Sequence, residues 1–259
     1  MGENPYRPPR SQVADIGATS ALGTYVEGGR AVAAWHGWTW IAAAFDLFRK
    51  RPGAWIIITI ILGVILIAIN MLPGIGFVIN TLLMPVYIGG LLLGCRALED
   101  DGEFGVGQLF AGFRHGTRRL IAIGALSVLA WIVIMIPLVA IMGKSFFALM
   151  GGDPSAIAAL GPAVAIGFLV MFGLSVPLYM ALWFSPALVL FHDAESIPAL
   201  RQSFNACLKN VVPFLVYGVI VMILLVLAAI PLGLGLLVWV PVVMASVYTA
   251  YRDIFYLPG

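Results

Sequence analysis

The sequence has 259 residues, of which 62% are hydrophobic and only 10% charged, and its mean hydropathy is +1.05. Soluble domains are about a quarter charged, so this composition excludes them and points to an integral membrane protein. The formal net charge of +2 excludes little by itself, but the placement of the charges along the chain is informative.

Residues 1–33 carry Pro5, Pro8 and Pro9 and a run of small residues with few large apolar side chains. They cannot bury enough surface to offset the cost of ordering and read as a flexible tail. Residues 4–9 have the composition of a polyproline docking segment, although a solvated tail accounts for them more simply. The apolar core of a cleaved signal peptide is missing from 1–34, so insertion is expected to rely on the first crossing itself.

From 35 to 50, Trp40, Ile41, Ala44, Phe45 and Phe48 recur on one helix face, opposite His36, Thr39, Ala43, Asp46 and Lys50. The spacing predicts an amphipathic helix lying in the membrane plane. Trp35, Trp38, Trp40 and Trp55 cluster around it, as indole rings do at headgroup depth. Arg49, Lys50 and Arg51 lead to a break at Pro52. Residues 54–94 and 211–251 contain no Asp, Glu, Lys or Arg over 41 residues each. At about 20 residues per crossing each run is two crossings, hence a hairpin. The first hairpin turns at Pro73, Gly74, Ile75 and Gly76.

Residues 95–119 then hold an acidic run at Glu99, Asp100 and Asp101 that leads through Gly102, Gly105 and Gly107 to a second apolar face at Val106, Leu109, Phe110 and Phe113. Arg114, His115, Arg118 and Arg119 follow. Residues 120–143 and 161–191 supply one crossing each, separated by an outer loop at 144–161 whose Phe146, Phe147, Leu149 and Met150 dip onto the membrane. In the third amphipathic segment Ile197, Leu200, Phe204, Cys207, Leu208 and Val211 share a face, with Arg201, Gln202, Asn205 and Lys209 opposite. Ser196 is placed to cap that helix, with Pro198 in its first turn.

The expected fold is all-α: six transmembrane helices as three hairpins, each preceded by an amphipathic in-plane cytoplasmic helix. The chain divides into the tail at 1–33 and a membrane domain at 34–259, with pseudo-repeats over 35–98, 104–193 and 194–255. The repeat rests on a proline with a small residue four positions on in the second crossing of each unit, at Pro85/Gly89, Pro177/Ala181 and Pro241/Ala245. Six crossings leave Lys144 alone on one side among the 14 basic residues, so by the positive-inside rule the other side, with both termini, is the cytoplasm. Cys95 and Cys207 fall at that edge, where reduced thiols are expected.

Three groups of motifs carry a resemblance. The first is Trp183, Phe184, Ser185, Pro186, Ala187, Leu188 and Val189 with Phe191, His192 and Asp193. The second is Ser203 to Asn210 in unbroken order, and the third is Ala245, Ser246, Val247 and Tyr248 with Tyr251, Arg252, Asp253, Ile254 and Phe255. Together they resemble a family of six-span inner-membrane proteins of proteobacteria, over roughly residues 37–255. More distantly the chain is similar to the membrane domain that accompanies some glycerophosphodiester phosphodiesterases, without the catalytic domain. The family has no assigned activity, so the resemblance implies a fold and a location and no functional residue.

His36, His115 and His192 fall one per unit and could converge on a metal around a pseudo-threefold axis, or bond to headgroups separately. Asn70 and Asn80, near the outer turn, bond to backbone or line a solute path. Charged residues are missing from the middle of every crossing, which argues against ion-coupled transport. The expectation is a protein with no enzymatic activity and no cofactor or metal, binding membrane lipid through anionic headgroups or a partner protein at its cytoplasmic face, and no nucleic acid. The residues placed to make those contacts are Arg49, Lys50, Arg51, Arg114, Arg118, Arg119, Arg201, Phe204 and Lys209. The alternative is an uncoupled carrier or channel for a small apolar or amphiphilic molecule, for which a hydrated path lined by Asn70, Asn80 and serines would speak.

Overall fold

The computed structural model describes residues 23–143, 147, 150–152, 155 and 162–257. The docking segment at 4–9 and most of the outer loop at 144–161 lie outside the described residues. The helices are α1 His36–Lys50, α2 Pro52–Asn70, α3 Gly76–Glu99, a 3₁₀ helix Val106–Phe113, α4 Thr117–Met142, α5 Pro162–Trp183, α6 Ser185–His192, α7 Ser196–Lys209, α8 Val211–Ala229 and α9 Leu236–Phe255. Two short strands, β1 Thr24–Tyr25 and β2 Tyr256–Leu257, pair antiparallel.

Among the described residues five segments are long and apolar enough to cross a membrane: Pro52–Asn70, Gly76–Glu99, Thr117–Ile141, Ala165–His192 and Val211–Ala229. The chain is thus an all-α polytopic membrane protein. The expected sixth crossing, α9, has 20 residues but is less apolar, because Ser246, Tyr248, Thr249 and Tyr251 on its buried side face protein rather than lipid.

Local chemistry sets the boundaries. Pro52 opens α2 in the first turn, where its missing N–H costs nothing. Pro85 and Pro241 lie inside buried helices, whereas Pro177 is exposed, so the middle proline is not used as the other two are. Between α5 and α6 the helix breaks at Phe184, ahead of Pro186. There the Ser203 hydroxyl of α7 enters the broken ladder, accepting from the Phe184 N–H at 2.9 Å and donating to the Met180 carbonyl at 2.7 Å. A side chain inserted into the ladder is one of the few causes of a sharp helix break.

The second amphipathic segment is not an α-helix but the eight-residue 3₁₀ helix, pressed onto α3. A Cβ on Gly112 would stand 2.1 Å from the Val86 carbonyl, and one on Gly90 would stand 2.3 Å from that of Gln108. The backbones therefore meet without side chains between them, the mode of packing that small residues allow in membranes.

Burial is concentrated at one end of the bundle. In α2 the buried residues are Trp55, Ile58 and Leu62, in α8 only Pro213 and Tyr217, and in α9 they begin at Pro241 and run to Phe255. The helices are thus knitted together where the described termini meet and loosen toward the opposite end. Trp40 and Trp55 belong to this core at 1% and 0% exposure, which corrects their placement at headgroup depth. Trp35 and Trp38 remain exposed.

Within the tail expected over 1–33, the described residues are held in place. Residues 24–32 form a strap across the end of the bundle: besides the β1–β2 pairing, Val26 N donates to the Phe255 carbonyl and Arg30 N to that of Ile254, both at 2.8 Å. Composition could not reveal this, because the groups that hold the strap, among them Lys209, Asn210 and Asp253, lie far off in sequence.

Candidate functional site

The end where β1 meets β2 carries three features: a basic rim, a polar cleft and, beneath them, two apolar grooves. The rim centres on α7, which has three sides. Ser196, Ala199, Ser203, Ala206 and Cys207 are buried against α5, α6 and α4. Ile197, Phe204 and Leu208 form a second, bulky apolar side, with Ile197 at 68% and Leu208 at 56% exposure. Arg201 and Asn205 occupy the third side and are exposed. The sequence reading merged the first two sides, because hydropathy patterns weigh bulky side chains and overlook small ones. Ser196 does not cap the helix either. Its hydroxyl donates to the Arg119 carbonyl at 3.0 Å, and Glu195 holds the cap position without a side-chain bond.

The nine residues assigned to lipid or partner contact divide. Arg51, Arg114, Arg118 and Arg201 are exposed and enter no ion pair among the described residues. Phe204 is half-buried on the apolar side of α7. Arg49 lies 3.9 Å from Asp46, and Arg119 pairs with Asp193 and Glu195 at 3.1 Å each. Lys50 donates to the Leu98 carbonyl at 2.6 Å and to Asp101 at 2.9 Å. Lys209, expected to point at headgroups, instead donates to the Gly28 and Gly29 carbonyls at 3.0 Å and fastens the strap.

The polar cleft, about 760 Å³, lies between α1 and the end of α9. Asp253 is its hub. It accepts from Arg30 Nη2 at 2.7 Å and Trp40 Nε1 at 2.7 Å, contacts His36 Nδ1 at 2.6 Å, and its backbone carbonyl accepts from Arg30 Nε at 2.8 Å. Deeper in, Glu99 pairs with Arg252 and accepts from the Tyr248 hydroxyl at 2.6 Å. The charged groups thus neutralise one another and join α1, α3, α9 and the strap.

The histidines do not converge. His36 is on Asp253, His192 Nε2 is 2.6 Å from the Tyr251 hydroxyl and stacks on Tyr25 with ring centroids 3.8 Å apart, and His115 is exposed beside the Ala111 carbonyl. Among the described residues no group of three His, Cys, Asp or Glu side chains could hold a metal. Burial pushes the Tyr25 phenol up to about 12, with Glu27 and Tyr256 adding to it. The Cys207 thiol is likewise pushed up to about 12 by burial, against the opposing hydrogen bond from Ser203. Cys95 and Cys207 are both free and buried.

The two grooves, about 510 and 400 Å³, share Trp131, Tyr179 and Trp183. The larger extends to α7 and α8 through Cys207, Val211 and Phe214, the smaller to α3 and α9 through Met84, Ile88 and Met244. Asn70 and Asn80 line neither of them. Both donate to the Leu66 carbonyl, at 2.9 and 3.2 Å.

Apolar spans joined to an end where charges pair with one another and several arginines stay exposed define a polytopic membrane protein. Over 199 residues the chain is 27% identical to a protein of Burkholderia thailandensis that bears the name "Probable inner membrane protein", and the match covers 73% of each chain. No family model and no solved structure matches it.

Proposed function

We propose that the chain is a six-span inner-membrane protein with both termini in the cytoplasm, which binds anionic lipid along its cytoplasmic rim and performs no catalysis of its own. The observation that carries this reading is the three-sided α7. One side grips protein, one offers Phe204 and Leu208 to hydrocarbon, and one offers Arg201 to headgroups, the division an interfacial helix needs. Arg51, Arg114 and Arg118 lie free beside basic partners already paired, and each juxtamembrane cation attracts anionic lipid by about 1 kcal/mol.

Parity supports the count of six. β1 pairs with β2, so the two described ends lie on one side of the bilayer, and an odd number of crossings cannot bring them there. The helix that makes the number even is α9, joined to α8 by the turn at 230–235. The positive-inside rule assigns the arginine-bearing end to the cytoplasm, and the relative's name supports the inner membrane. Asn70 and Asn80 are bonded to backbone, which favours a binding role over an uncoupled carrier with a hydrated path. Arg30, His36, Glu99, Arg252 and Asp253 of the cleft are engaged with one another, which leaves them little freedom for acid–base work.

The test is native mass spectrometry of purified protein titrated with phosphatidylglycerol or phosphatidylcholine. The wild type should prefer phosphatidylglycerol, and Arg114→Ala, Arg118→Ala and Arg201→Ala should each weaken that preference roughly fivefold, as about 1 kcal/mol per cation implies. Equal retention of the two lipids by the wild type would sink the reading.

A further inference from the structure

The grooves lie among membrane-crossing segments, where the surrounding medium is hydrocarbon and not water. Helix α5 packs on α4 and α7, and its remaining side looks across the grooves toward α8 and α9. Each groove falls within the roughly 300–1,000 Å³ of ligand sites and is lined mainly by apolar and aromatic side chains. Protein interiors are close-packed, so voids of this size facing a bilayer are filled by what the bilayer supplies, the acyl chain.

Two details narrow the occupant. First, the grooves are separated by a wall one side chain thick. Trp131 and Tyr179 meet edge to face at 6.1 Å, and Trp183 stands beside them against Phe214 at 5.6 Å. Two chains of one molecule can straddle such a wall. Second, the hydroxyls of Ser127 and Ser175 are spent on the carbonyls of Ile123 and Phe172 in their own helices, whereas the Trp183 indole N–H is buried without an acceptor among the described residues. Trp183 closes α5 at the end nearest α7, the level at which a lipid in that leaflet carries its ester carbonyls. A buried indole N–H ordinarily finds an acceptor.

We propose that the paired grooves form a binding site for one diacyl glycerolipid, one chain on each side of the Trp131–Tyr179–Trp183 wall, with an ester carbonyl accepting from Trp183. This deepens the lipid-binding reading and rests on it only in that the ligand is a lipid: the grooves select the chains, and the rim selects headgroup charge.

The experiment is native mass spectrometry of the protein extracted with its membrane lipids in mild detergent, followed by exchange against added diacyl phosphatidylglycerol, diacyl phosphatidylcholine or single-chain lysophosphatidylglycerol. One diacyl lipid per chain should survive washing. Val176→Trp fills the larger groove from its exposed side, and Val247→Trp fills the smaller. Each should lower diacyl retention at least tenfold while lysolipid is still held, and the double variant should lose both. Trp183→Phe keeps the ring and removes the N–H, and should lower diacyl retention roughly fivefold. Melting curves like the wild type's establish that the variants fold, and Val219→Trp, at an exposed position of α8 outside both grooves, should retain the lipid. Loss of all lipid on washing, or equal retention by the filled, well-folded variants, would overturn the proposal and leave only lipid at the protein's periphery. One retained diacyl lipid with either headgroup would uphold the grooves and remove the rim reading. A headgroup preference untouched by both tryptophan substitutions would do the reverse.

Discussion

Asp253 shows how much of the assembly depends on single groups. One carboxylate and its own carbonyl receive Arg30, His36 and Trp40, tying the strap and α1 to the last turn of α9. Hydrogen bonds to a charged group contribute about 1.5–3 kcal/mol each, and losing one partner strands the others. Asp253→Ala should therefore destabilise the protein by about 2–3 kcal/mol in thermal melts in nanodiscs, and should expose the chain near Arg30 to protease. An unchanged melt would mean that the cleft is ornamental to stability. At Cys207 burial pushes the thiol pKa up to about 12, which keeps the thiol protonated across the physiological range. Intact mass after maleimide treatment at pH 8 should show no adduct at Cys207 in folded protein and full labelling after denaturation. Rapid labelling of folded protein would contradict its burial. Little of this was legible in the sequence. Asp253 follows a long apolar run and lies 223 positions from Arg30; no local pattern connects them.

At the scale of the element, α7 was found by its period but misassigned in its faces. Ile197, Phe204 and Leu208 stood out by size, yet the side that touches protein is Ser196, Ala199, Ser203 and Ala206, whose small volume lets α7 lie across the broken end of α5. Paired spin labels test the result. In a background without native cysteines, a label at Leu208 should relax with dissolved oxygen and one at Asn205 with a water-soluble nickel chelate. Equal response at the two positions would remove the interfacial placement. Helix α1 shows the same lesson in milder form: Trp40, Ile41, Ala44 and Phe48 are buried as the spacing predicts, but against α9 and α8 instead of lipid, while Phe45 is exposed. Periodicity identifies an apolar side; whether lipid or protein meets it depends on neighbours remote in sequence.

For the whole molecule, the uncharged runs and the one-sided arginines were readable because the bilayer imposes length and charge rules that no tertiary contact overrides. A reporter active only in the periplasm should be silent when fused after Gly259 and active when inserted between Gly151 and Gly152. Activity at Gly259 would leave α9 outside the bilayer and make the parity argument void. The strap, by contrast, was invisible, since two residues of strand and a few carbonyls leave no compositional trace.

The pairing of β1 with β2 also fixes an order in time. Residues separated by most of the chain must meet, and synthesis at about 5–20 residues per second places on the order of ten to forty seconds between the emergence of Arg30 and that of Asp253. During that interval Arg30, His36 and Trp40 wait without their acceptor, and the strap has nothing to grip. The final turn of α9 is therefore a latch that closes only once Asp253 and its neighbours have been made. A chain cut before Asp253 keeps nearly all the apolar helices and none of the closure, so loss of this turn is far more damaging than its length suggests.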